Sequence, residues 1–374
     1  MNIGINLLHA HPGIGGGWNY IKSLVNSIQN YKNDNTYTAY CTSISKCLIY
    51  DHTNVNVICI RINSTNRIAR VFYENTFLQW RAKIDNIDVM HWFAQTRAIY
   101  SPKPSIITVY DLLAFHNDQL YPLFNRLYLR LTLPQSLRNA TVIAPMSETT
   151  MLDIKNRFNI NLEKMVVIPT IIDDTFMPGA SENIKRFRDK HELPDKYWLY
   201  VAHYYPHKNH KRLFKAFALL KAKKNTSWPL VLCGSKNGAE ELISETLRSI
   251  GIENDVIWLP RIEDKDMPTL YSAASALIFP SLFEGGGIPV MEAMACGCPV
   301  VASDVPTTRE FAADAALYFN GEDIDDIANA MLLFEEDKKI LEYYKMCGLE
   351  KAKKYRKEII IPILLDAYKR AASY

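Results

Sequence analysis

A chain of 374 residues, 48% hydrophobic and 22% charged, exceeds what one hydrophobic core usually organises, so two domains of ordinary size are expected. The composition excludes a disordered, collagen-like or coiled-coil protein, and no apolar run approaches the ~20 residues that span a bilayer. The net charge of +3 is unevenly placed: residues 1–140 hold 13 Lys and Arg against 7 Asp and Glu, which leaves the remainder at −3. A basic first half suits an anionic membrane surface or an anionic acceptor, whereas no signature of nucleic-acid binding accompanies the charge.

The chain opens on a strand, Ile3 to Leu8, with no basic region or cleavage site before it, so no signal peptide and a cytosolic location are expected. A glycine loop, Gly13 to Gly17, follows, then a helix from about Trp18 and a second strand around Tyr37 to Ser43. Further strands are expected at Val55 to Ile60, Val89 to Trp92, Ser105 to Val109 and Thr141 to Pro145, and the segment Val166 to Pro169 closes this half. Residues Arg67 to Ile84 and Pro122 to Arg138 mix Arg with Leu, Tyr, Phe and Trp at helical spacings. Such helices can lie on a membrane surface, or they can lay long arginine stems over an ordinary core.

After Ile171 the chain mixes Asp, Pro, Gly and charge up to Lys196, which reads as a boundary between domains. The second half repeats the alternation of short apolar runs and helical patterns. Its strands are expected at Trp198 to Ala202, Pro229 to Cys233, Val256 to Leu259, Ala276 to Phe279, Pro299 to Ala302 and Ala316 to Phe319. A final helix, Lys357 to Ala372, carries Ile359, Ile360, Ile363, Leu364 and Ala367 at helical spacing and must pack on something. The division expected is therefore 1–178, 179–356 and a last helix, 357–374, that returns to the first domain. Seven cysteines scattered from Cys41 to Cys347 suit reduced thiols, and Cys296 and Cys298 lack the partner ligands of a zinc site.

The sharpest motif runs from Pro280 through Glu284, Gly285, Gly286, Gly287, Ile288 and Pro289 to Glu292. A buried strand ends at Ser281, three glycines allow close backbone approach, and a helix starts near Ile288 with proline in its first turn. A helix N-terminus reached through glycines offers free N–H groups to an anion. Glu284 stands before that helix and Glu292 within its first turns, so one carboxylate can reach a sugar while the other reaches a ribose. A glycine-rich turn with two solvated glutamates is the plain alternative.

This segment resembles the E-x7-E signature of the retaining family 4 glycosyltransferases, whose GT-B fold has two Rossmann-like doubly wound α/β domains facing a central cleft. The resemblance implies that Glu284 contacts the donor sugar, that Glu292 holds the ribose hydroxyls, and that Gly285, Gly286, Gly287 and Ile288 line the sugar and diphosphate. A second match, Tyr200 to Asn209, resembles the loop whose basic pair neutralises the donor diphosphate. Lys208 takes one place, while His203 stands where arginine or asparagine is common. Gly15, Gly16, Gly17 and Trp18 resemble the glycine loop bordering donor and acceptor; Trp18 stands where a dinucleotide fold needs its third glycine.

The run Ile106 to Leu112 resembles a family strand that ends in His-Asp; here it ends in Tyr110 and Asp111. The family histidine lies near the donor sugar's O6, so Tyr110 walls C6 for a 6-deoxy or otherwise modified hexose, bonds O6 from a shifted position, or is a core aromatic at a strand end. Arg261 lies where the nucleotide base is expected. Asp264 and Asp266 are read as helix-capping residues rather than a metal site, so neither metal nor other cofactor is required. The resemblance thus implies transfer of a hexose from a GDP- or UDP-linked donor to a glycan or lipid-linked acceptor, with retention. A cytoplasmic enzyme of surface polysaccharide assembly, in peripheral contact with the membrane, fits these features. No nucleic acid is expected as partner.

Overall fold

The computed structural model describes residues 1–12, 16–49, 55–101, 103–116, 123–224 and 228–374. The chain forms two units, Met1–Asp173 with Arg356–Tyr374, and Asp174–Tyr355. In unit 1 the strands are β1 (Asn2–Asn6), β2 (Thr36–Cys41), β3 (Val55–Cys59), β4 (Val89–Trp92), β5 (Ser105–Val109) and β6 (Val142–Pro145). They pair in parallel in the order β3-β2-β1-β4-β5-β6. Every residue of β4, β5 and β6 is buried, as a parallel sheet covered on both faces demands, and this is why these strands read as unbroken apolar runs.

The helices of unit 1 are α1 (Gly16–Asn30), α2 (Arg67–Asn75), α3 (Phe77–Ile84), α4 (Leu113–His116), α5 (Leu123–Asn139) and α6 (Glu148–Phe158). Helix α1 starts at Gly16 rather than near Trp18, so Gly16 and Gly17 lie in its first turn and not in the loop; Gly13 and Gly15 fall outside the described residues. The pattern from Arg67 to Ile84 is two helices, broken at Thr76, whose φ of −125° and ψ of −86° are not helical. Val166 and Ile168 donate to the carbonyls of Ile143 and Pro145, both at 2.9 Å, so this stretch follows the edge of β6 without forming a regular strand.

Unit 2 contains α7 (Ser181–Lys190), β7 (Trp198–Val201), α8 (His210–Lys223), β8 (Leu230–Cys233), α9 (Glu240–Ser249), β9 (Val256–Trp258) and α10 (Met267–Ala273). It continues with β10 (Ala276–Phe279), α11 (Ile288–Ala295), β11 (Val300–Ser303), α12 (Pro306–Ala312), β12 (Ala316–Phe319), α13 (Ile324–Glu336) and α14 (Lys338–Ala352). The order β12-β11-β10-β7-β8-β9 is that of unit 1 counted from the other edge, with the first strand of the unit paired to its second and fourth. Both units therefore have the doubly wound Rossmann order, as expected, and each has a switch point where the order reverses and a crevice opens at the strand ends. In unit 1 this point lies between β1 and β4, and in unit 2 between β7 and β10. Asp264 and Asp266 form a short 3₁₀ turn before α10, and neither this turn nor α10 has a side-chain cap bond. Asp266 thus stands at the N-cap position of α10 without a side-chain cap bond and lies 3.8 Å from Lys190, while both aspartates place negative charge at the start of this helical segment.

The last helix, α15 (Lys357–Ala372), belongs to unit 1. Its buried stripe is Ile360, Ile361, Leu364, Ala367, Tyr368 and Ala371, whereas Ile359 and Ile363 are 52% and 38% exposed. The spacing identified the helix but placed two of its isoleucines on the wrong side. Tyr368 carries its hydroxyl to within 2.8 Å of Nδ1 of His91 on β4, whose Nε2 lies 2.9 Å from Oγ1 of Thr108 on β5. A polar bridge through the core thus joins the last helix to two strands laid down more than 250 residues earlier, and both ring nitrogens are satisfied.

Burial holds the His91 pKa at about 3, against an ordinary value of 6.5. The folded state therefore binds fewer protons than the unfolded one between these values, and stability is lost as pH falls through that window. The unfolding free energy, followed by urea titration from pH 6.5 to 5, is expected to fall, and more shallowly for His91→Gln, by up to about one proton. Parallel slopes would show that another group is responsible.

Candidate active site

At the switch point of unit 2 the loops after β7 and β10 lie side by side, since the two strands pair through Ala276 with Trp198 and Leu277 with Leu199. The loop after β7 closes in a 3₁₀ turn, Pro206–Lys208, and Asn209 then takes a left-handed conformation with φ of 62° before α8 begins. Asparagine tolerates this backbone better than most residues. Asn209 is 4% exposed, and its amide is fully used: Nδ2 donates to the carbonyls of Pro280 at 3.0 Å and Gly321 at 2.7 Å, while Oδ1 accepts from Arg212 at 3.2 Å. One side chain thereby ties the loop after β7 to the ends of β10 and β12. The buried Tyr200 hydroxyl donates to the Lys208 carbonyl at 2.5 Å, and the Leu282 N–H donates to that of His207 at 2.8 Å.

These ties bring Lys208 Nζ to 2.6 Å from Oε1 of Glu284, with the two side chains 19% and 9% exposed. Charges so far removed from water are costly alone and tolerable as a pair. Lysine has three donors, so the ammonium can bond Glu284 and still meet an anion. The backbone of Glu284 is held in turn by Thr307 of α12, whose hydroxyl donates to the Glu284 carbonyl at 2.8 Å.

Gly285 to Gly287 lead from Glu284 into α11. Gly287 has φ of +52°, in the left-handed region, and stands as the residue before the helix. A Cβ there would strain the backbone and lie 3.4 Å from the Phe311 ring. Pro289 occupies the first turn of α11, where a missing N–H costs no helix bond. The helix thus directs its N-terminal N–H groups and dipole beside the Lys208–Glu284 pair, a setting made for an anion. Glu292, in the second turn, is half-buried and accepts from the Tyr271 hydroxyl at 2.8 Å. Burial and then the Glu292 charge push the Tyr271 hydroxyl well above its ordinary pKa, and the same two causes push the Cys233 thiol at the end of β8 up to about 11.

His203 follows β7, and its Nδ1 accepts from the Ser235 N–H at 2.9 Å. Loss of hydration and then the Lys208 charge hold this ring below its usual pKa, so the neutral ring keeps its proton on Nε2. Arg261 is exposed, two residues after the buried Leu259. The remaining candidates belong to unit 1. Gly16, Gly17 and Trp18 form the first turn of α1, and Gly15 is outside the described residues. Tyr110 ends β5, with its ring edge-on to Tyr20 at 5.5 Å. Its hydroxyl is out of contact with solvent and has no partner among the described residues. Burial and then Tyr20 raise its pKa well above the ordinary value. Asp111 accepts from the Leu113 N–H at 2.9 Å, which turns the chain into α4.

The structure therefore joins Lys208, Glu284 and the start of α11 directly and sets Glu292 one turn along the helix. Sequence reasoning did not single out Asn209, Thr307 or Tyr271. Asn209 had a signal, an asparagine between a basic turn and a helix, but its partners lie 71 and 112 residues away. Among the described residues no group of three His, Cys, Asp or Glu is arranged to hold a metal ion.

The family model described as "Glycosyl transferases group 1" matches residues 181–354, which lie within unit 2. O-antigen chain mannosyltransferase B of Escherichia coli is 28% identical over 266 residues, 71% of this chain and 70% of that protein. O-antigen chain mannosyltransferase RfbU of Salmonella typhimurium strain LT2 is 31% identical over 220 residues, 58% of this chain and 57% of its own length. The structure of Anabaena HepE in complex with UDP-glucose shares the fold at 16% identity, with a TM-score of 0.78 and full coverage of both chains. The segment 181–354 thus matches the group 1 glycosyltransferases, the kind similar to family 4, and the whole chain shares the GT-B fold.

Proposed function

We propose that the chain transfers a hexose, mannose, from a GDP- or UDP-linked donor to a hydroxyl of a glycan or lipid-linked glycan, with retention, in the cytoplasmic assembly of a surface polysaccharide. The observation that carries this reading is the Lys208–Glu284 contact of 2.6 Å at the switch point, beside the N-terminus of α11. Mannose and polysaccharide assembly are supported by the names of the two relatives, both O-antigen mannosyltransferases. A nucleotide diphosphate donor is supported by the UDP-glucose bound to the Anabaena protein.

In this reading the donor diphosphate lies between Lys208 and the N–H groups of Gly286, Gly287 and Ile288. As the bond from C1 to the phosphate oxygen breaks, negative charge grows on the diphosphate. The Lys208 ammonium and the helix dipole, fixed in place beforehand, stabilise it. Glu284 orients the sugar and Glu292 holds the ribose, with His203 and Arg261 toward the rest of the nucleotide. The acceptor oxygen forms its bond to C1 on the face the phosphate leaves, and its proton passes to the departing phosphate oxygen. Positioning and electrostatics supply the rate, with no protein nucleophile and no metal.

Transfer is tested with a panel of nucleotide sugars, by release of the nucleoside diphosphate and by NMR of the product anomer, with and without excess chelator. Mannose transfer with retention, insensitive to chelator, is expected; an inverted product, or no transfer from any donor, refutes the reading. Within that assay Glu292→Ala is expected mainly to raise KM, because the ribose is a remote handle, while Glu284→Ala mainly lowers kcat. Unchanged kinetics in both variants would remove these residues from the site.

For Tyr110, the hydroxyl without a partner among the described residues favours a bond to the sugar's O6 over an apolar wall, since a buried polar group left unsatisfied costs about 1–3 kcal/mol. Turnover with GDP-mannose is therefore expected to exceed that with GDP-rhamnose, and Tyr110→Phe should narrow the ratio by about tenfold. A wild-type preference for the 6-deoxy sugar would restore the wall.

A further inference from the structure

We propose that the switch point of unit 1 binds a singly charged oxyanion carried by the acceptor, a carboxylate or a phosphodiester, between His9 and the two arginines Arg67 and Arg70 of α2. Its assignment to the acceptor rests on the transfer reading above, whereas the binding itself needs no donor. Strand β1 ends at Asn6 and β4 at Trp92, and a doubly wound sheet takes its ligands beyond such strand ends. His9, three residues past β1, is 6% exposed and lies against the backbone of Phe93, the first residue after β4. Neither ring nitrogen makes a full hydrogen bond to a described residue. Burial first and then the Arg70 charge hold the ring at a pKa of about 3, so at neutral pH it is uncharged and has one N–H to give.

Arg67, Arg70 and Glu74 stand at positions i, i+3 and i+7 of α2, on one face of the helix. Glu74 fixes this face at the end of β1: its Oε1 accepts from Asn6 at 2.9 Å and lies 3.8 Å from Nε of Arg70. The second contact is an ion pair but too long for a hydrogen bond, and Arg70 Nε is buried without one. Arg67 stacks over the Tyr128 ring at 4.9 Å, and its Nη1 is likewise buried with no hydrogen-bond partner among the described residues. Burial and then the Arg70 charge lower the pKa of Arg67, since two guanidiniums one turn apart repel.

Charge and donor geometry select the ligand. Two arginines against one ionised glutamate leave a single positive charge where water is scarce, and such a charge is tolerated best beside a counter-ion. The planar N–H groups of guanidinium fit the paired oxygens of a carboxylate or phosphate, and the His9 N–H supplies a third direction. A monoanion balances the surplus, and Glu74 remains to accept from a neighbouring hydroxyl of the same sugar.

Binding is tested on the full chain without any nucleotide sugar, by calorimetry and saturation-transfer NMR. The probes are methyl glucuronide, methyl glucoside and glycerophosphoglycerol. At least one charged probe is expected to bind about tenfold or more tighter than the glucoside. Preference for the glucuronide makes an acidic sugar the source of the oxyanion, and preference for the phosphodiester makes it a phosphate-bridged glycan. In histidine-labelled protein the ring signals of His9, assigned through His9→Gln, should move with the bound anion and stay in place with the glucoside. Arg67→Gln and Arg70→Gln should each weaken anion binding about tenfold, and Arg70→Lys less. If Arg70→Gln does not fold, Arg67→Gln and the His9 signals decide. Equal affinity for all the probes, anion binding undiminished in both glutamine variants, or His9 signals that ignore the anion overturns the proposal. A chain that binds the anion at His9 but transfers no sugar keeps this site and refutes only the transfer reading. Transfer with the same KM to neutral and to acidic acceptors refutes the acceptor's oxyanion alone.

Discussion

The site in unit 2 rests on one buried amide. Asn209 accepts a left-handed backbone and uses its Nδ2 to clip the loop after β7 to the ends of β10 and β12, while its Oδ1 accepts from Arg212 of α8. That clip, with the bonds from Tyr200 to the Lys208 carbonyl and from Leu282 to the His207 carbonyl, holds an ammonium and a carboxylate in contact where water is scarce. With it, Lys208 and Glu284 share a geometry set before any ligand arrives. Desolvating the pair costs folding free energy that its attraction offsets in part, and breaking it costs more, but the fixed pair spares the reacting complex the reorganisation that free side chains would need. Thr307 and Tyr271 extend the same device, one holding the backbone of Glu284 and the other the carboxylate of Glu292.

The sheet order explains why this happens between β7 and β10. Reversal of the strand order sends the two following connections to opposite faces, so the strand ends are left open there and covered elsewhere. The same order recurs in unit 1, where the end of β1 leads toward α1 and its glycines. Unit 1 is also closed by a helix from the far end of the chain. The His91 bridge to Tyr368 and Thr108 is the polar counterpart of the apolar stripe on α15, and it sets the rotation of that helix.

Two classes of helix share the surface of unit 1. Helix α15 commits its apolar residues to the sheet, while α2, α3 and α5 keep large apolar residues in water amid arginines. Their sequences look alike, because alternation at helical spacing reports a stripe without saying what the stripe faces.

The sequence by itself determined the alternation of strands and helices and many of the boundaries. Val89 to Trp92, Ser105 to Val109, Ala276 to Phe279, Ala316 to Phe319 and Lys357 to Ala372 coincide with the observed elements at both ends. The start of α11 was equally plain, from glycines followed by a proline. These are local signals: buried parallel strands must be apolar throughout, and proline and glycine act on the backbone of their own residue. The sheet order came with the family resemblance that the motifs carried. Only the tertiary structure decided which faces are used and which distant groups meet. It turned Ile359 and Ile363 to solvent, broke a helix at Thr76, left Asp266 at an N-cap position without a cap bond, and set Lys208 against Glu284 across 76 residues of chain. The reason is physical: spacing along a chain encodes the period of an element, while the partner of a side chain depends on how whole elements pack, and no neighbouring residue carries that information.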